Sequence, residues 1–311
     1  MINKIIITGA NGFLGTSLSD YFQSAATEIV LLARKPLREK HKNIKWVRWD
    51  GETLDRWTAT LEGADVLINL AGKSVDCRYT EENKKLIYSS RLRSTNILGE
   101  ALKQCAKPPA LWINASSATI YCASYDKLMT ERDGETGSDF SMDVCKQWET
   151  EFSKHEIPGV RKIVLRTSIV MGAGGGALQP LQNLVRAGLG RRLGSGDQFF
   201  SWIHIRDFCK TIDWMINNKK ASGIYNITAP NPLINSKFME ALRTAMHMPL
   251  AIAVPERLLR LGAIFIGTEP ELVLKSRKVY PKRLLDEGFV FEFPDVRTAV
   301  EDLCRTKKTI T

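Results

Sequence analysis

Over the first half of the chain, short apolar runs rich in β-branched residues alternate with longer stretches whose apolar positions recur every three or four residues. IIIT (5–8), IVLLA (29–33), WVRW (46–49), VLINLA (66–71), LWINAS (111–116) and IVLRTSIV (163–170) read as strands. Most are near-continuously apolar, as strands covered on both faces should be. Between them TSLSDYFQSA, the segment 81–105, and DFSMDVCKQWE continued by TEFSKH predict helices. That rhythm specifies an α/β fold built on a doubly wound parallel sheet. After Gly172 the pattern changes: AGGGALQP reads as a loop, LQNLVRAGLG as a helix and RRLGSGDQF as turns. A short strand WIHI, a helix DFCKTIDWMIN and a strand IYNIT follow, and from Pro230 the chain is mostly helical with a late strand FVFEF (289–293). Asp207 opens its helix as an expected N-cap.

The first strand ends in TGANGFLG, with Gly9, Gly12 and Gly15 before a helix. A tight turn needs a residue that tolerates positive φ, and a pyrophosphate needs backbone approach without a Cβ. The helix start then offers unpaired N–H groups and the positive end of its dipole. Three glycines alone are a weak signal; in the first strand-to-helix turn of an alternating α/β pattern they specify dinucleotide binding. The expected architecture is therefore a Rossmann-type domain over 1–172, with 202–228 returning to it, and a smaller, mainly helical substrate-binding lobe over 173–311. The second strand runs into LLARKP, so Arg34 and Lys35 stand where an NAD site places an acid for the ribose hydroxyls. A guanidinium meets phosphate with a planar fork, which favours NADP. A solvated basic loop, with Arg38, Lys40 and Lys42 nearby, is the competing reading. NLAG (69–72) brings small residues to the end of the fourth strand, beside the adenosine ribose or simply in a turn.

The 311 residues are 44% hydrophobic and 25% charged, which is globular composition with ample core. A net charge of +10 favours anionic partners. The basic residues are dispersed, without zinc-finger spacing or an RNA-binding aromatic motif, so no nucleic-acid partner is expected. Six scattered cysteines without a CxxC pair, and an N-terminus that enters an apolar strand directly, point to reduced thiols in a cytoplasmic protein. The apolar stretch around 258–266 is too short to span a bilayer and contains Arg260. No His/Cys/Asp cluster has metal-ligand spacing.

Together TGANGFLG, NLAG, SRLRSTNIL, SSATIY, FSMDVCKQWE, LRTSIVMGAGGGAL, GSGDQFFSWIHIRD, GIYNITAPNP and VYPKRLLDEGFVFEF resemble the extended short-chain dehydrogenase/reductase superfamily, in its YfcH-like branch of epimerase family proteins. The likeness runs from residue 8 to residue 293. It implies NADP as cofactor and a small-molecule substrate, anionic or nucleotide-linked compounds included. By the same likeness Gly9, Asn11, Gly12, Phe13, Leu14 and Gly15 contact the cofactor, Ala33 and Arg34 lie at the 2′-phosphate with Lys35 beside them, and Leu70, Ala71 and Gly72 border the ribose. Arg91 reaches in from the following helix and Val170 borders the nicotinamide.

The superfamily moves the proton with a tyrosine followed four residues later by a lysine, whose charge lowers the phenol pKa. Ser117 of SSATIY matches the serine that orients the substrate oxygen, with Thr119 as second choice. The tyrosine is missing: one alignment puts Ser141 and Cys145 at the dyad, the other Met142 and Lys146. Tyr121, with Lys146 as nearby cation, is then one source of a proton; Tyr125 or Glu131 are others; a site that binds NADP without turnover is a further reading. Cys145 reads as buried and inert, and Glu149 beside Trp148 as helix packing plus a surface acid. On the substrate side Gln198, Trp202 and His204 lie close together, and KSRKVYPKR (275–283) offers charge either to an anionic substrate or to solvent.

Overall fold

The apolar runs of the first half pair side by side. The computed structural model describes residues 2–37, 41–266 and 274–305, so Arg38 and Lys40 lie outside the described residues. One parallel sheet is formed by β1 (Ile2–Thr8), β2 (Ala26–Ala33), β3 (Ile44–Arg48), β4 (Val66–Asn69), β5 (Leu111–Ser117), β6 (Arg161–Thr167) and β7 (Gly223–Ile227). Their spatial order is β7-β6-β5-β4-β1-β2-β3. The chain steps outward from β1 to β2 and β3, then crosses back to β4 on the other side of β1. Strand order reverses there, and in doubly wound sheets the crevice beyond the carboxyl ends at that point is where ligands bind.

Nine helices accompany the sheet among the described residues: α1 (Phe13–Phe22), α2 (Glu81–Gln104), α3 (Phe140–Ser153), α4 (Leu178–Arg186), α5 (Ile205–Asn217), α6 (Asn235–Ala245), α7 (Glu256–Ile266), α8 (Lys282–Asp286) and α9 (Val296–Arg305). Successive side chains of β1 explain why both faces need cover. Ile5 and Ile7 pack with Leu18 and Phe22 of α1 and Phe208, Ile212 and Met215 of α5. Ile6 points the other way, into Leu98 and Leu102 of α2 and Phe152 of α3. A separate core, with Leu181, Val185, Phe200, Trp202, Phe238, Leu242, Val300 and Leu303, gathers residues from 171 onward.

Several elements differ from the sequence pattern for identifiable reasons. The run 163–170 is two strands: Ser168 turns away, its N–H and hydroxyl both donating to the Ile227 carbonyl at 3.0 and 3.1 Å. Beyond it Ile169–Gly172 pairs with Trp202–His204 in a second small sheet, while 223–227 adds to the main sheet beside β6. FVFEF is not a strand. Its Phe289 and Phe291 enter the main core, and the N–H groups of Glu292 and Phe293 donate to Asp207 at 2.8 and 2.9 Å. Asp207 therefore anchors this segment instead of capping α5; the cap is His204, whose Nδ1 accepts from the Arg206 N–H at 3.0 Å. The basic run 275–283 is a structural strap. Lys278–Val279 pairs with Leu128–Met129, Lys275 meets Asp139, Arg277 donates to the Tyr121 carbonyl, and Arg283 holds Ser222, Ile224 and Tyr225.

Candidate functional site

At the carboxyl end of β1 the backbone turns through Gly9 at φ +62°, a conformation costly to any residue with a Cβ. A Cβ there would lie 2.6 Å from the Leu70 carbonyl oxygen, and one on Gly15 would lie 2.6 Å from the Gly9 oxygen. Two glycines thus let three backbone segments meet. Gly12, the exposed N-cap of α1, has no side-chain cap, and no acid occupies the first turn. The amides of that turn are left open to an anion. Phe13 is held from above: Cβ atoms on Gly172 or Gly175 would come within 2.4 and 2.7 Å of its ring. The glycines of MGAGGG therefore seat Phe13 and bring Val170 to the same edge.

Beneath the cradle lies a polar network that reading the sequence missed. Thr8 donates to Asn69 Oδ1 at 2.6 Å; Asn69 Nδ2 donates to Asn114 at 2.7 Å and to Thr95 at 3.2 Å. The N–H groups of Leu70 and Ala71 are collected by Thr8 Oγ1 and Asn69 Oδ1. All four side chains are buried, so each donor left without a partner would be expensive, and the network fixes the β1–β4 crevice. Asn69 at the end of an otherwise apolar run was the available clue.

Arg91 approaches from α2. Its guanidinium carbon would be 3.2 Å from a Gly72 Cβ and stands 5.0 Å from the Trp148 ring centre, with Nη1 donating to the carbonyls of Lys73 and Ile87. Leu70 thus lies against Gly9, with Gly15 buried behind that turn, and Arg91 lies against Gly72. At the end of β2, Ala33 is buried while Arg34 and Lys35 are exposed and make no ion pair with any described residue.

Ser117 ends β5 on the same edge. Its Oγ accepts from Thr119 twice, from N–H at 3.2 Å and from Oγ1 at 3.0 Å. Thr119 Oγ1 is also 3.4 Å from Cys145 Sγ. With Ser117 Oγ accepting from Thr119, its own hydroxyl hydrogen remains available to a further partner. Burial pushes the Cys145 thiol up, which keeps it protonated. Lys146, half-buried on α3, makes no hydrogen bond or ion pair with any described residue.

Tyr121 is not available in the same way. Its ring is 0% exposed, its hydroxyl donates to Asn226 at 2.8 Å and accepts from Arg166 Nη1 at 3.0 Å. Burial raises its pKa. Arg166 is in turn gripped by both carboxylate oxygens of Glu149, at 2.9 and 2.7 Å, so Glu149 is part of this internal network. Glu131 accepts from the Asn226 N–H at 2.9 Å, and burial raises its pKa. Tyr125 is exposed on the loop beyond.

Gln198, Trp202 and His204 are each 1% exposed and present no face to a ligand. Gln198 donates to the Leu193 carbonyl, Trp202 belongs to the second core, and His204 stacks on Phe293 at 3.9 Å. Among the described residues no group of His, Cys, Asp and Glu can hold a metal ion, and no helix is long and apolar enough to cross a membrane.

Known proteins resemble this chain in sequence and fold. A model of the NAD dependent epimerase/dehydratase family matches residues 5–228, and one of a domain of unknown function, DUF1731, matches residues 254–303. An epimerase family protein of Staphylococcus aureus strain MRSA252 is 34% identical over 303 residues, 97% of this chain and 99% of the relative. The crystal structure of human epimerase family protein SDR39U1 with NADPH superposes with a TM-score of 0.86 at 27% identity, covering 97% of this chain and 99% of that one. A nucleoside-diphosphate sugar epimerase from Corynebacterium glutamicum gives 0.77 at 27% identity, covering 98% of this chain and 59% of that one. With a glycine turn at the point where strand order reverses and a match across most of its length, the chain belongs to the NAD dependent epimerase/dehydratase family, as an extended short-chain dehydrogenase/reductase.

Proposed function

We propose that the protein is an NADP-dependent oxidoreductase or epimerase acting on a small polar substrate, nucleotide-linked sugars included, in the cytoplasm. The observation that carries this reading is the uncapped start of α1 beneath the Gly9–Gly15 turn, beside the β1–β4 crevice, with Ser117 on the same edge. The pyrophosphate would sit on the first-turn amides, and Arg34 with Lys35 would take the 2′-phosphate. Leu70, Ala71, Gly72 and Arg91 would border the ribose and phosphates, and Val170 the nicotinamide. The NADPH bound by the human relative supports this choice of cofactor. When bound, the cofactor supplies hydride. Ser117, held by Thr119, would donate its hydroxyl hydrogen to the substrate oxygen, and residues 173–311 would supply the substrate-binding lobe. The name of the Corynebacterium relative supports a nucleotide-linked substrate.

The experiment is a panel of carbonyl, carbinol and nucleotide-sugar compounds followed at the nicotinamide absorbance, with Ser117→Ala as control. Turnover that Ser117→Ala abolishes supports the reading; silence across the panel from protein that binds NADPH contradicts it. A second reading, a non-catalytic NADP(H)-binding sensor, is favoured by one observation: α3 has no tyrosine at the dyad, and the Tyr121 hydroxyl is committed to Asn226 and Arg166. That reading predicts the silent outcome together with tight NADPH binding.

A further inference from the structure

We infer that Arg48, at the end of β3, is a second cationic ligand for the 2′-phosphate and shares with Arg34 the discrimination of NADP from NAD. The inference rests on the NADP reading and adds a residue to it. Along β2, Ile29 and Leu31 pack into the core that contains Leu18 and Phe22 of α1, whereas Val30 and Leu32 pack on the opposite face. Alternation therefore puts Ala33 on the α1 side, where the glycine cradle is. In the parallel register Ala33 stands opposite Arg48, and paired residues share a face. Val47 agrees, since it packs on the far side with Leu32. The register is locked at this point: the Trp49 N–H and the Trp46 indole N–H both donate to the Ala33 carbonyl, at 3.1 and 3.3 Å.

The charges at this corner are unevenly satisfied. Lys45 is paired with Glu28 and Arg93 with Glu52. Arg34, Lys35 and Arg48 are exposed and pair with no described residue. Asp50 and Asp55 line a shallow depression with Arg48, yet neither pairs with it. The Asp50 carboxylate is taken up by the N–H groups of Glu52 and Thr53 and by the Thr53 hydroxyl, at 2.8, 3.0 and 2.6 Å. Uncompensated guanidinium groups at the ends of adjacent strands can fork a phosphate from two sides.

The test measures equilibrium binding of NADPH, NADH, adenosine 2′,5′-bisphosphate and 5′-AMP to wild type, Arg48→Gln and Arg48→Lys. Arg48→Gln should weaken NADPH and the bisphosphate by about five- to tenfold, with NADH and 5′-AMP within about twofold, while Arg48→Lys, which keeps the charge and loses the fork, falls between wild type and Arg48→Gln. Raising salt should shrink the difference. If wild type prefers NADPH and Arg48→Gln keeps that preference intact, the assignment of Arg48 is overturned and the NADP reading stands. Equal weakening toward all four compounds also overturns it, since Arg48 would then act on the local structure. If wild type shows no preference for NADPH, the NADP reading itself fails and this inference with it.

Discussion

His204 makes stability depend on pH in a way that can be calculated. Its ring is 1% exposed and stacked on Phe293, Nδ1 accepts the Arg206 N–H, and Nε2 lies 3.3 Å from Asp302 Oδ2 on α9. Burial disfavours the charged ring and the Arg206 guanidinium adds to that, while Asp302 and Glu292 oppose it; the pKa falls from 6.5 to about 4. In the unfolded chain the ring titrates near its ordinary value, so between those limits the unfolded state binds more protons. The stabilisation is complete above pH 6.5 and is lost as pH falls toward 4. Linkage gives a loss of about 2 kcal/mol at pH 5 and about 3 kcal/mol once both states are protonated. Urea unfolding at pH 7.5 and pH 5.0 of wild type and His204→Asn measures it. Asparagine keeps an acceptor for the Arg206 N–H but does not titrate. Wild type should lose about 2 kcal/mol more than the variant between the two pH values. Equal pH dependence in the two proteins would refute the placement of His204 as a buried, neutral cap.

Gly9→Ala combines a left-handed backbone with a Cβ 2.6 Å from the Leu70 oxygen, so it should cost about 2–4 kcal/mol in chemical denaturation. NADPH affinity should fall by more than about 100-fold, because the amides proposed to meet the pyrophosphate move with the turn. Arg34→Asp should weaken NADPH by about 10- to 100-fold and leave NADH within about threefold; equal losses in a titration of both would contradict a phosphate contact. Tyr121→Phe should destabilise by about 1–3 kcal/mol, since it strands Arg166 and Asn226 in the core, and should leave NADPH affinity unchanged. Loss of turnover in a correctly folded Tyr121→Phe protein, without that destabilisation, would instead make the phenol a proton donor.

The parallel sheet, the glycine turn and the basic end of β2 are legible because they are local: a run, a spacing, a tripeptide. What escaped was decided by distant partners. Asp207 looks like a cap in its own helix, but its carboxylate is claimed by N–H groups 85 and 86 residues further on. FVFEF alternates like a strand, yet among the described residues no strand pairs with it, and Asp207 takes two of its amides. His204, Trp202 and Gln198 carry ligand chemistry in their side chains and are used for packing and capping. The Thr8–Asn69–Thr95–Asn114 network joins four elements, and no stretch of sequence contains more than one of its members. The dyad positions could be aligned in two ways from sequence; the fold adds that Cys145 touches Thr119 behind Ser117, a link no spacing rule contains.

The central claim is that the Gly9–Gly15 turn and the start of α1 hold a dinucleotide, with cations beside it for a 2′-phosphate. Isothermal titration of wild-type protein with NADPH and with NADH tests it most directly. The account predicts saturable binding at one site per chain, tighter for NADPH; no heat and no thermal protection from either nucleotide would contradict it.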